Sequence, residues 1–364
     1  MKNLSWFNKI VFFFNIVLTV LSFIAYVLPF LAPKLFPFLS VLTLVLPLML
    51  ILNLLFLFYW LIQFKKQVLL SLCVFLIGIT FFNKFYKFSS KDLIAEEDDF
   101  VVMSYNVRLF NVFEWIKQDN VIDKIEAFVL SQNPDILCLQ EYSNTQPVHF
   151  EGYKHQFIYM QGDKVKTGQA IFSKFPIVNG GNIKFPNSNN NVIFADIKKG
   201  RDTLRVYSMH LQSIKISPDI HEKIDEVKSK KIFRRISEAF AIQQMQSELI
   251  KQHKAECHFP LIICGDLNNS AFSYVYRNIK GNMKDAFEEA GKGFGKTYDY
   301  DYYPARIDYV FVDKRIEVKN FVNHDSFINS DHFPITTRLT LRDEAPQHPV
   351  TSDTEPKKQK NSRL

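Results

Sequence analysis

An α/β domain over residues 100–342, preceded by a transmembrane helical region over residues 1–86, is the fold class this sequence predicts. Three observations carry it. No Asp or Glu occurs before Asp92, and the ionic side chains up to that point are eight lysines. Three long apolar runs lie among those lysines. Beyond residue 99, short runs rich in Val, Ile, Leu and Tyr alternate with stretches of helical period, the pattern of an α/β domain.

The charge distribution excludes some function classes. The 364-residue chain carries a formal net charge of +7, but those eight lysines exceed it. Removing them from the 44 basic residues leaves 36, against 37 acidic ones. The basic balance is thus a property of the first quarter and not a nucleic-acid footprint of the whole protein. With 47% apolar residues, the chain is neither fully disordered nor fibrous, and four Cys do not make a disulfide scaffold.

Ile10–Ala32 and Leu35–Phe64 each exceed the roughly 20 apolar residues that a helix needs to span the hydrocarbon layer. Val68–Phe82 is shorter, but Phe85, Tyr86 and Phe88 extend it while Lys84 and Lys87 snorkel. A cleaved signal peptide fits poorly, because the first run is too long and further apolar runs follow. Three spans are therefore expected, with the lipid bilayer as partner. Lys2 and Lys9 ahead of the first helix, against Lys34 after it, favour an inside N-terminus, which with three spans places the C-terminal domain on the extracytoplasmic side. Over all flanks the lysines divide evenly, Lys2, Lys9, Lys65 and Lys66 against Lys34, Lys84, Lys87 and Lys91. Residues 87–99 read as a polar linker, and the Pro- and charge-rich residues 343–364 as a disordered tail.

Within residues 100–342, Asn120–Gln132 sets Val121, Ile125, Phe128 and Val129 on one helix face, and Asn133-Pro134 stops it. Phe233–His253 is a longer helix, and Ala305–Asp313 a β-rich stretch. Four buried-strand patterns end on polar residues: FVVMSY on Asn106, DILCLQ on Glu141, LRVYSM on His210 and PLIICG on Asp266. Ligands in α/β folds bind beyond the carboxyl ends of strands, so these four form a candidate constellation. Each alone has an ordinary reading: a turn Asn, a solvated Glu, a core His, a helix-capping Asp. Asp266 and Asn268, two apart in an extended segment, would face one point, with Gly265 letting the backbone turn. Asp308 opens a further strand, and Asp331-His332 enters another. A carboxylate beside an imidazole fixes its tautomer and stabilises its charged form. Carboxylates and imidazoles without a zinc-type Cys/His cluster favour a hard ion, Mg²⁺ or Mn²⁺.

In order, Ser-Tyr-Asn106, Leu-Gln-Glu141, Ser-Met-His210-Leu, Gly-Asp266-Leu-Asn268, Arg-Ile-Asp308-Tyr and Ser-Asp331-His332-Phe-Pro resemble the endonuclease/exonuclease/phosphatase superfamily. The layout as a whole is similar to membrane-anchored bacterial members. The resemblance implies a four-layer α/β sandwich, two packed mixed sheets with helices outside. It also implies a Mg²⁺- or Mn²⁺-dependent phosphoesterase in which a metal-activated water attacks a phosphodiester or phosphomonoester. Glu141 would be the principal metal ligand, with Asn106 and Asp331 beside it. Asp266 would act as base or water-orienting carboxylate, and Asn268 as its partner. His332 would face the phosphate with Asp308 orienting it, and His210 would be a second phosphate-facing histidine.

Other residues divide between two readings. Arg108 either faces the cleft as a substrate-binding residue or pairs with a surface carboxylate. Thr297 and Tyr298 fit loop packing better than site lining. The cluster Lys223, Lys228, Lys230, Lys231, Arg234 and Arg235 reads as a solvated helix face rather than a phosphate track. Cys138 and Cys264 read as core.

An endonuclease-like phosphodiesterase is the expected activity, and a phospholipid, sphingomyelin or phosphoinositide head-group phosphoesterase the alternative. The near-neutral domain argues mildly against tight duplex binding. A catalytically inactive binding protein would have lost Glu141, Asp266 or His332, and none is lost. A transporter would need ionisable residues at the centres of its spans, which have none. Nothing in the sequence calls for an obligate protein partner.

Overall fold

The computed structural model describes residues 4–162, 166–214, 226–300 and 303–342. Lys223 and the tail 343–364 lie outside those residues. Helix α1 (Trp6–Val27) starts at Ser5, whose hydroxyl accepts the Asn8 N–H. A single turn, α2 (Pro37–Ser40), leads into α3 (Leu42–Ile62), which contains Pro47. Helix α4 (Val68–Phe85) runs three residues beyond the uninterrupted apolar run to take in Phe85, and stops short of Tyr86 and Phe88. The three long helices are each long and apolar enough to cross a membrane.

Several of their polar residues turn inward and pair between helices. The Asn15 amide donates to Ser71 at 2.9 Å and accepts from Trp60 Nε1 at 3.0 Å. Asn53 donates to Ser22 at 2.9 Å. Such pairing is what an apolar surrounding demands, because an unsatisfied polar group there costs several kcal/mol, on the order of a lost hydrogen bond in vacuum.

Among the described residues, twelve strands and four α-helices form the rest of the fold. The first half holds β1 (Phe100–Asn106), α5 (Val121–Gln132), β2 (Ile136–Tyr142), β3 (His155–Gln161), β4 (Thr167–Ser173), β5 (Ile177–Lys184), β6 (Asn191–Lys199) and β7 (Asp202–His210). The second half holds α6 (Glu226–Ala255), β8 (Leu261–Asp266), α7 (Tyr274–Lys280), β9 (Lys284–Asp285), α8 (Ala286–Ala290), β10 (Asp308–Val312), β11 (Ile316–Asn323) and β12 (Ile335–Leu341). The strands make two six-stranded mixed sheets, β11-β12-β1-β2-β4-β3 and β5-β6-β7-β8-β10-β9.

Strand alternation explains the layers. Phe100, Val102, Ile136, Cys138 and Ile171 of the first sheet meet Ala195, Val206, Ile262, Cys264 and Val310 of the second in one buried cluster. Residues of opposite parity face outward. Met103, Tyr105, Leu137 and Leu139 pack under Val121, Ile125 and Val129 of α5. Tyr207, Ile263 and Phe311 pack under Ile250 of α6 and Val275 and Ile279 of α7. The order helix, sheet, sheet, helix is the four-layer sandwich expected from the sequence, and Cys138 and Cys264 lie in its core.

A polar chain crosses the core between the sheets. Gln140 donates to Ser208 at 2.9 Å, Ser208 to Gln169 at 2.8 Å, and Gln169 to the Asn191 side chain at 3.0 Å. All four are buried, so their mutual satisfaction locks the register of one sheet on the other.

Gly265 serves close packing rather than the turn expected from the sequence. It sits inside β8 at φ +126°, and a Cβ there would lie 2.1 Å from the Met209 carbonyl oxygen on β7. Gly265→Ala is therefore expected to destabilise the fold by more than about 2 kcal/mol, through a disfavoured φ and a clash with backbone that cannot move aside. For a domain of this size that is a fall of roughly 4–8 °C in Tm, readable by thermal denaturation, and an unchanged Tm contradicts it.

The apolar helices dock on the sandwich. Phe272 packs among Ala25, Tyr26, Leu46, Met49 and Val74, and Phe38 stacks on Phe233 at 5.7 Å. Arg277 lies over the Phe30 ring at 4.3 Å, and Arg306 Nη2 donates to the Lys84 carbonyl at 3.0 Å. The polar segment 87–99 is itself laid along the domain. Lys87 and Gly293 exchange backbone hydrogen bonds of 2.9 and 2.8 Å, and Leu93 N–H donates to the Lys319 carbonyl at 3.0 Å.

Candidate active site

Register brings the strand-end residues together. Parallel pairing of β7 with β8 puts His210 opposite Asp266, and antiparallel pairing of β10 with β8 puts Asp308 opposite Asp266. In the other sheet, β1 and β2 run parallel, β1 ending at Asn106 and β2 carrying Glu141 as its next-to-last residue. His332 precedes β12, which runs antiparallel to β1 and so starts where β1 ends. Every candidate from Asn106 to His332 thus lies at one edge of the sandwich.

Glu141 owes its direction to a bulge. The register of β2 on β4 shifts between Gln140 and Tyr142, leaving Glu141 unpaired at φ +49°. Such a conformation in a side-chain-bearing residue costs roughly 1–3 kcal/mol and occurs where function needs a side chain re-aimed. Buried Gln140 points into the core while its neighbour Glu141 reaches the site.

Three buried residues form the deepest part. His332 Nδ1 is 2.9 Å from Asp308 Oδ2, and its Nε2 is 3.7 Å from Asp266 Oδ2. Burial works against charge on this imidazole, but Asp308 and Asp266 outweigh it and push its pKa up to about 10. Burial also drives the Asp266 carboxyl well above the usual range, opposed by His332 and reinforced by the charge of Asp308. Thr297 is buried and holds the backbone beneath, its hydroxyl accepting the N–H groups of Ile307 and Asp308 at 3.0 Å each. Tyr298 lies edge-on to His332 with centroids 5.0 Å apart and lines the cavity, so it belongs to the site rather than to loop packing alone.

Asn268 meets Asp266 through a turn rather than an extended segment. Its φ is +52°, its N–H donates to Asp266 Oδ1 at 2.7 Å, and its Nδ2 to Oδ2 at 2.8 Å. Capping of the next helix falls to Ser273 instead. His210 Nε2 stands 3.5 Å from Glu141 Oε1 and 3.7 Å from Asp266 Oδ2. Burial lowers its pKa, with the Glu141 charge opposing.

Of the two readings the sequence left open for Arg108, the ion pair is the one observed, though its partner is a site residue. Its guanidinium pairs with Asp331 at 3.0 Å and lies over Trp115 at 4.5 Å, at the site and bound to a candidate metal ligand. Asn106 departs from expectation. Its Oδ1 accepts the Arg108 N–H at 3.1 Å, and its Nδ2 faces Asp266 at 3.2 Å and Glu141 at 3.4 Å. In this conformation it clamps the carboxylates, and ligating a metal through oxygen would require its amide to turn.

The donor set suits a hard cation. Asp266, Asp308 and His332 bring ligating atoms within 4.8 Å of one another, but the raised imidazole already supplies the positive charge between those two carboxylates. Glu141 is half-buried and has no strong cationic partner among the described residues, only Asn106 and His210 at 3.4–3.5 Å. Of the carboxylates here it is the one best placed to hold an oxygen-preferring ion.

A cavity of about 560 Å³ opens from this cluster. Glu141, Asp266, Asp331 and His332 line one end, and Leu44, Val45 and Leu48 of α3 with Phe85 of α4 line the other. Nothing in the sequence flagged the second group, whose residues read as ordinary span residues. The basic cluster, where described, is a helix face on α6. Lys230 pairs with Glu226 at 2.6 Å and Arg234 with Glu238 at 2.7 Å, both exposed.

Comparison with known proteins gives two family matches, and no curated protein matches. Residues 8–85 fit the profile of a domain of unknown function, and residues 103–332 that of the endonuclease/exonuclease/phosphatase family. Among solved structures, an endonuclease/exonuclease/phosphatase from Beutenbergia cavernae is 17% identical, with 68% of this chain and 72% of that one covered at TM-score 0.49. The catalytic domain of human Nocturnin with bound sulfate is 18% identical, covering 68% and 96% at TM-score 0.49. A family protein from Bacteroides thetaiotaomicron is 21% identical, covering 69% and 97% at TM-score 0.47. The profile match spans more than half of the chain and takes in every strand end described above, from β1 to His332. The chain belongs to the endonuclease/exonuclease/phosphatase family, whose members are phosphoester-hydrolysing enzymes.

Proposed function

We propose that the chain is a membrane-anchored, Mg²⁺- or Mn²⁺-dependent phosphoester hydrolase that works by direct attack of water. The observation that carries this reading is the convergence of Glu141, His210, Asp266, Asp308 and His332, from both sheets, at one edge of the sandwich beside a cavity. Glu141 would hold the ion, with Asp331, partly offset by Arg108, beside it. When bound, the cation supplies positive charge to the non-bridging phosphate oxygens.

The remaining work falls to the chain's own side chains. The His332 imidazolium, fixed by Asp308 at Nδ1, presents Nε2 to the phosphate and stabilises the charge that grows there. Asp266 orients and deprotonates the incoming water, and burial, which raises its pKa above the ordinary carboxylate range, makes it a stronger base than a free carboxylate. Asn268 holds that carboxylate through two donated hydrogen bonds. His210, kept neutral by burial, donates a hydrogen bond to the substrate. No residue forms a covalent intermediate.

Asp266→Asn keeps the shape and removes the base. It is expected to lower hydrolysis of bis(para-nitrophenyl) phosphate by at least about 10²-fold, the usual scale of general-base loss. Wild-type turnover in the variant contradicts the assignment. The three apolar helices act as the anchor, so the full-length chain should stay in the membrane pellet after alkaline carbonate washing. Release into the wash would remove the anchor from the proposal.

A further inference from the structure

We propose that the substrate is a membrane phospholipid, its phosphate at the carboxylate–histidine cluster and its apolar chain in the arm of the cavity bounded by α3 and α4. This rests on the phosphoester-hydrolase reading and names the substrate class of the same site.

The cavity is one continuous space whose two ends differ in chemistry. Its inner end carries Glu141, Asp266 and His332, and its outer end Leu44, Val45, Leu48 and Phe85. The outer residues belong to helices that are apolar enough to cross a bilayer. Leu48 lies six residues past Leu42, the first residue of α3, about 9 Å along the helix at 1.5 Å per residue. With Leu42 at the bilayer surface, that length would reach below the head-group level to the edge of the hydrocarbon. Val45 and Leu48 are 40% and 52% exposed, so the arm opens on the face of α3 that lipid would cover. Between the ends, Ala271, Phe272 and Phe294 continue the apolar wall.

A polynucleotide does not fit this shape. It carries a charge at every phosphate and needs Lys or Arg at successive positions, whereas an apolar wall strips its water without replacement. Among the described residues, the guanidinium and ammonium groups lining the cavity are those of Arg306 and Lys84. Arg306 is already paired with Asp285 at 2.8 Å, and the Lys84 ammonium lies over the Tyr276 ring at 4.9 Å. A phospholipid matches both ends at once, because one phosphodiester is joined to a long apolar chain. Hydrolysis adds water across a P–O bond of that diester. The water oxygen bonds to phosphorus, its proton passes to the departing alkoxide, and a phosphomonoester and an alcohol result.

The test uses the full-length chain reconstituted with Mg²⁺ in vesicles of phosphatidylcholine, phosphatidylethanolamine, phosphatidylglycerol, phosphatidylinositol and sphingomyelin. Phosphorus NMR follows the lipid phosphodiesters, and bis(para-nitrophenyl) phosphate serves as the soluble diester. Val45→Trp and Leu48→Trp fill the arm from its lipid-exposed side without touching the inner cluster. Each is expected to cut lipid hydrolysis by at least about tenfold and to leave the soluble diester within about twofold of wild type. Leu55→Trp, exposed on the same helix but away from the cavity, should change neither. Hydrolysis of the soluble diester without any loss of lipid phosphodiester overturns the proposal. So does lipid hydrolysis that the two arm variants leave unchanged, or that falls only in step with the soluble diester. Failure to hydrolyse either substrate overturns the hydrolase reading itself, and this inference with it.

Discussion

Replacing His332 with Ala should lower turnover by at least about 10²-fold, because it removes a positioned cation whose interaction with phosphate grows in the transition state. The imidazole is buried, hydrogen-bonded to Asp308 at 2.9 Å and flanked by Asp266 at 3.7 Å, so no other side chain can take its place. Asp308→Asn should cost less. The imidazole remains, but the carboxylate that does most to hold its proton is gone, and its pKa falls from about 10. The turnover of this variant should therefore drop as pH rises through the neutral range, where wild type still carries a charged His332. The double variant should be little worse than His332→Ala alone, since residues acting as one unit are strongly non-additive. Turnover numbers from the four proteins, with circular dichroism confirming each fold, decide the point. Multiplying losses would mean that Asp308 and His332 work separately.

The second large effect is expected at Glu141. Glu141→Gln removes one negative charge at nearly constant shape, and its bulge geometry is set by the backbone rather than by the carboxylate. Folding should change little, while the Mg²⁺ concentration needed for half-maximal activity should rise by at least about tenfold, the scale on which metal sites respond to a lost partner. Asp331→Asn should have a smaller effect on the same titration, because Arg108 already offsets that carboxylate at 3.0 Å. A Glu141 variant with an unchanged Mg²⁺ requirement would move the ion to another set of ligands.

The sequence makes the two sheets and the strand-end residues legible for a physical reason. A strand buried on both faces must be a continuous apolar run, so the polar residue that ends it is conspicuous. Asn106, Glu141, His210 and Asp266 are all found this way, and the register of β7, β8 and β10 then brings three of the site residues together. Local conformation is less legible. The bulge at Glu141, the left-handed turn at Asn268 and the close packing at Gly265 depend on neighbouring strands that the local residues do not announce. Asn106 reads as a ligand, yet the amide orientation is decided by the Arg108 N–H and two carboxylates from other strands. Least legible is the cavity's outer arm. Leu44, Val45 and Leu48 have the composition of any membrane helix, and only the docking of α3 beside Phe272 gives them a place near the site.

Chelation of the wild-type protein is the most direct measurement of the claim that these strand ends form a metal-dependent hydrolytic site. Full-length protein stripped with EDTA should lose hydrolysis of bis(para-nitrophenyl) phosphate and regain it when Mg²⁺ or Mn²⁺ is added in excess, with Ca²⁺ as the hard but larger comparison ion. Undiminished hydrolysis in EDTA would contradict the claim.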